Sequence, residues 1–111
     1  MWLMQTEITP AWDIWLQLPA DARIVSIVPQ GDRLMLHYLS NEDNGQRRQR
    51  HLRAVIPNTK LGEADEWTFL FAARPQGGPH GQLWHFFERI EGAGAEKDLI
   101  PFGKTETGVT A

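Results

Sequence analysis

The stretch Trp67-Thr68-Phe69-Leu70-Phe71-Ala72 constrains the fold more than any other. Large aromatic residues recur at every second position, the period at which a β-strand returns to the same face. A helix would scatter Trp67, Phe69 and Phe71 around its circumference, whereas a regular strand puts them side by side. Residues 82–90 repeat the pattern, with Trp84, Phe86 and Ile90 on one face. Between them, Arg74 to Gly81 holds two Pro and three Gly, enough turn-forming residues to reverse the chain. Trp67 and Trp84 are expected in the core.

The rest of the chain reads the same way. Residues 2–8 alternate, with Trp2, Met4, Thr6 and Ile8 on one side and Leu3, Gln5 and Glu7 on the other. After Thr9-Pro10, the residues Trp12, Ile14, Leu16 and Leu18 predict a second strand. Pro19-Ala20-Asp21 predicts a turn. Residues 22–28 and 33–39 flank Gly31-Asp32, and glycine at the first loop position suits a type II′ hairpin turn. Residues 40–46 are a loop by composition, Arg47 to Ile56 a strand, and 60–66 a loop or one helical turn. The expected fold is mainly β, with little helix: a small antiparallel β-sandwich or partly open barrel of about six to seven strands. A single domain is expected over residues 1–91, followed by a flexible C-terminal tail over 92–111.

A core of this kind is within reach, since 41% of the 111 residues are hydrophobic, including five Trp and five Phe. No cysteine is present, which excludes disulfides and thiolate chemistry and favours a reducing, cytoplasmic location. Glu7 and Pro10 interrupt any secretory signal, and no apolar run is long enough for a membrane span, so no membrane association is expected.

Catalytic signals are weak. His37, His51, His80 and His85 match no metal-ligand spacing. His85 and Glu88, three apart on a strand, face opposite ways. Ser26 and Ser40 sit in no nucleophile-elbow context, and no glycine run resembles a phosphate loop. The chain therefore reads as a non-enzyme with neither cofactor nor metal.

Charge is the sharper feature. The net charge is −3, but Arg47, Arg48, Arg50, Arg53 and Lys60 stand in a 46–60 segment that has no acid. On a regular strand Arg48 and Arg50 share one face, and Arg47, His51 and Arg53 the other. Such a stripe can grip phosphates or a partner's carboxylates. Equally, it can be a charged edge strand that discourages sheet-to-sheet aggregation. Trp12 and Trp15 lie where the pattern is least regular. They are candidates either for an exposed binding surface or for a cap on one end of the fold. The candidate partner- or ligand-binding residues are thus Arg47, Arg48, Arg50, Arg53, Trp12 and Trp15.

The run Leu18-Pro19-Ala20-Asp21-Ala22-Arg23-Ile24-Val25-Ser26-Ile27, then Gln30-Gly31-Asp32-Arg33-Leu34, and finally Trp84-His85-Phe86-Phe87-Glu88 resembles a family of small uncharacterised phage and prophage proteins. Its members share an LPxxAxIxS opening and a closing WHxFE. The resemblance covers roughly residues 6–90, and the middle lacks the GTGHP signature of that family. What it implies is a setting, a phage accessory gene expressed in the host-cell cytosol. The expected function is binding and inhibition of a host protein, one of a defence complex. Loss of the stripe, by Arg47, Arg48, Arg50 and Arg53→Ala, is expected to weaken that complex. Two alternatives stand beside it: a sponge for a nucleotide-like ligand in an Arg/Trp pocket, and a purely structural, oligomeric role. A homodimer is expected as one way to cover the edges of so short a sheet.

Overall fold

The computed structural model describes residues 1–41, 45–62 and 66–90. Seven strands run in chain order: β1 (Trp2–Ile8), β2 (Ile14–Pro19), β3 (Arg23–Gln30), β4 (Arg33–Ser40), β5 (Arg47–Val55), β6 (Trp67–Ala73) and β7 (Trp84–Arg89). No α-helix occurs among the described residues. The strands form two antiparallel sheets, one in the order β1-β4-β3 and the other β2-β5-β7-β6. The fold is mainly β, as expected from the alternation. It is an open sandwich and not a closed barrel. β3 and β6 lie close enough to join the two sheets along one side, without pairing.

The core lies between the sheets. Leu34, Leu36 and Tyr38 of β4 alternate inward from one sheet, and Leu52, Ala54 and Phe86 meet them from the other. Ser40 continues the inward row of β4 although its side chain is polar. Its buried hydroxyl donates to Asp21 Oδ1 at 2.6 Å, and Asn41 N donates to Asp21 Oδ2 at 2.9 Å. These two bonds hold the Asp21 carboxyl below its ordinary pKa, the Ser40 bond having the larger effect.

Most sequence expectations meet their elements. Gln30 pairs with Arg33 across Gly31-Asp32, and Gly31 alone of the two takes a positive φ, 64°, as a type II′ turn requires. Ala22 N bonds Pro19 O at 2.9 Å, closing the turn between β2 and β3.

Two expectations are corrected. The second strand starts at Ile14, not Trp12, because Trp12 lies in the bend before it, where its carbonyl accepts from Arg53 Nε at 2.9 Å. Trp67, Phe69 and Phe71 do not share a face. A β-bulge between Phe69 and Phe71 leaves Leu70 as the extra residue. Phe71 therefore pairs with Phe86 on the core side, while Phe69 pairs with Phe87 on the outer side. Trp84 packs against the core as expected. Trp67 is buried too, but its cover is a cluster on the outer face of the four-stranded sheet. The tail expected over 92–111 lies outside the described residues.

Candidate functional site

Strand β5 is regular throughout its pairing with β2, so its arginines separate by parity as expected. Arg48 and Arg50 point to the inner side, Arg47, His51 and Arg53 to the outer. Arg47 and Arg48 are exposed. Arg50 and Arg53 are more buried.

Arg50 sits where the inner face meets solvent. Its Nε and Nη2 grip both oxygens of Glu88, the second at 2.9 Å, and Nη1 reaches Ala22 O at 3.0 Å in the other half of the sandwich. This bidentate pair is largely shielded from water. Glu88 is available because it pairs with Leu52 on the inner side, opposite in sense to His85. Arg50 therefore closes one end of the core.

Arg53 lies between two indoles on the outer face. Its guanidinium carbon is 3.9 Å from the centroid of Trp12 and 4.4 Å from that of Trp67. Its three nitrogens donate to Trp12 O, to Leu61 O at 3.0 Å and to Asp13 Oδ1 at 2.9 Å. The same Asp13 oxygen lies 2.7 Å from His51 Nε2. His51 is stacked on Trp15, with ring centroids 3.9 Å apart and planes 13° from parallel, and its edge meets Trp67 at 5.1 Å. Burial of the Asp13 carboxyl works to raise its pKa. The hydrogen bonds and charges of Arg53 and His51 outweigh that and hold it below the ordinary carboxylate value.

The consequence is an aromatic face on the outer side of this sheet. Trp15 and His51 pair across β2 and β5; Arg53, Phe87 and Phe69 form one cross-strand row over β5, β7 and β6. Phe69 and Phe87 meet edge to face at 5.5 Å. Trp12 and Trp15 are each 46% exposed, and Phe69 is 52% exposed. These side chains show their apolar surfaces to solvent while fixed from behind, the arrangement seen at the centres of binding surfaces.

His51 Nδ1 is buried and has no hydrogen-bond partner, while Nε2 is held by Asp13. Among the described residues, no three His, Asp or Glu side chains converge as metal ligands. No helix of the described residues is long and apolar enough to cross a membrane.

One open groove, of about 680 Å³, lies away from this face and is lined by Ile56, Pro57, Arg74, Pro79, Gln82 and Leu83. It contains neither a tryptophan nor any of the β5 arginines. Of the six residues read from the sequence, the fold unites Trp12, Trp15 and Arg53. It sends Arg50 to the inner side and leaves Arg47 and Arg48 at the exposed start of β5. Reading by residue type sets His51 beside Arg53 on the stripe without counting it among the binding residues, and it misses Phe69 and Asp13. Their signal was present only in the cross-strand register, which a single sequence does not display. Comparison with family models, curated proteins and solved structures returns no match.

Proposed function

We propose that this chain is a non-enzymatic binding protein whose aromatic face, on the outer side of β2-β5-β7-β6, docks on and occludes a partner protein. The observation that carries this reading is the exposure of Trp12 and Trp15 over a base held by Asp13, His51 and Arg53, with Phe69 exposed on the same outer face. Aromatic anchors fixed in advance lose little side-chain freedom on docking. A nucleotide sponge in an Arg/Trp pocket would rely on the guanidinium beside the tryptophans, and each nitrogen of Arg53 already donates within the protein. The phage setting implied by the resemblance makes a host protein, one of a defence complex, the proposed partner, met in the host cytosol.

The test is capture of the tagged chain from host lysate, followed by native mass spectrometry. Phe69→Glu should lose a stoichiometric protein partner, with affinity falling at least about tenfold. Arg48→Ala should retain it. A small-molecule adduct in place of a protein, or a partner that Phe69→Glu leaves bound, would overturn the proposal.

A further inference from the structure

Each open sheet has two edge strands, and an unprotected edge is a template for another strand. Here the four edges are β1 and β3 in one sheet and β2 and β6 in the other. Three of them carry features that hinder pairing. β3 has a bulge between Ile24 and Ser26 and a proline at position 29, which offers no N–H. β6 has the bulge at Leu70, and β3 lies beside it. β2 is short and ends on Pro19. β1 has none of these. Its seven residues, Trp2–Ile8, pair with β4 without a register break and contain no proline, glycine or lysine.

The N-terminal half of β1 is also bare on both faces. Trp2, on the inner side, is 66% exposed, and Leu3, on the outer side, is 62% exposed. Charge appears in β1 only at Glu7, near the far end, where it lies 3.8 Å from Arg33.

We infer that β1 pairs antiparallel with β1 of a second copy of this chain, joining the two three-stranded sheets into one of order β3-β4-β1-β1-β4-β3. A two-fold axis beside Leu3 sets Leu3 against its own equivalent and Trp2 against Met4 of the other copy. The uncharged half of each strand then covers the same half of its partner, and both Glu7 side chains fall outside the paired stretch. An unrelated strand would have to match this sequence by chance, whereas a second copy matches it by symmetry. The paired stretch is short, so the dimer is weak, with a dissociation constant of about micromolar order.

The test is sedimentation of the intact chain over a concentration series. The expected result is a monomer–dimer equilibrium. Leu3→Lys should raise its dissociation constant at least about tenfold. Phe69→Glu, on the other sheet, should leave it unchanged. Because Leu3→Lys could also loosen the fold, amide exchange of the unaltered protein gives a second readout. The β1 amides that alternate with those bonded to β4 should gain protection as concentration rises. A chain that stays monomeric up to about 1 mM overturns the inference. So does a dimer indifferent to Leu3→Lys. Protection of those amides at constant monomer mass would overturn it as well, since another segment of the same chain would then cover β1.

Discussion

Arg53 joins several separate parts of this molecule, and its replacement should show it. It ties the bend before β2, the Leu61 carbonyl and the Trp67 ring to β5. Arg53→Ala should lower stability by ~2–4 kcal/mol in urea unfolding, and Arg53→Lys should recover little, since an ammonium cannot fork to three acceptors between two rings. Arg50→Ala leaves Glu88 shielded and uncompensated and should cost ~2–4 kcal/mol, far more than Arg48→Ala. The double variant Arg50→Ala with Glu88→Ala should cost less than the sum of the two single changes. It follows that removing all four β5 arginines together would report on folding before it reported on binding. Asp13 gives a pH dependence. Its pKa is lower in the folded chain than the unfolded value of about 3.9, so its contribution is complete above that value. The contribution is lost as pH falls through the folded value. Asp13→Asn should therefore lower the melting temperature at neutral pH, and the gap to the unaltered protein should narrow as the solution is acidified below about pH 4. The half-exposed position of this carboxylate and screening by salt keep the effect modest.

At the scale of elements, strand-forming stretches were legible because alternation is local. The β3–β4 hairpin follows from Gly31-Asp32 between two β-rich runs, and its turn has the conformation that glycine permits. Gly31→Ala meets no atom within 4 Å, so its effect is one of backbone alone and should be a loss of ~1 kcal/mol by thermal unfolding. The bulge at Leu70 was not legible. Nothing in Trp67-Thr68-Phe69-Leu70-Phe71 distinguishes a regular strand from one that splits its three aromatics between the two faces. The choice is made by β7, which needs Phe71 opposite Phe86 in the core and Phe69 opposite Phe87 outside. The aromatic face was hidden for the same reason, because Trp15, His51 and Phe69 come onto one face only when four strands are laid side by side. The separation of the β5 arginines by parity was readable; that Glu88 and Asp13 would engage one from each side was not.

For the molecule as a whole, the two sheets share one thin core, and Phe86 stands in the middle of it, fully buried. Phe86→Ala should cost ~3–5 kcal/mol, a large part of the stability of a domain this size, and chemical denaturation should show it as an earlier midpoint with an unchanged slope.

The pairing of β1 with β4 and β2 with β5 sets an order of events during synthesis. Trp2 is matched to Ser40, and Ile14 to Leu52, so each early strand leaves the ribosome well before the strand it needs. At about 5–20 residues per second, β1 and β2 wait seconds for their partners, while β3 and β4 can close on each other at once. The nascent chain thus carries β1 unpaired until β4 emerges, and β2 unpaired until β5 follows. The bare edge of β1 is then at risk of meeting a neighbour on the same polysome before β4 arrives to claim its other side.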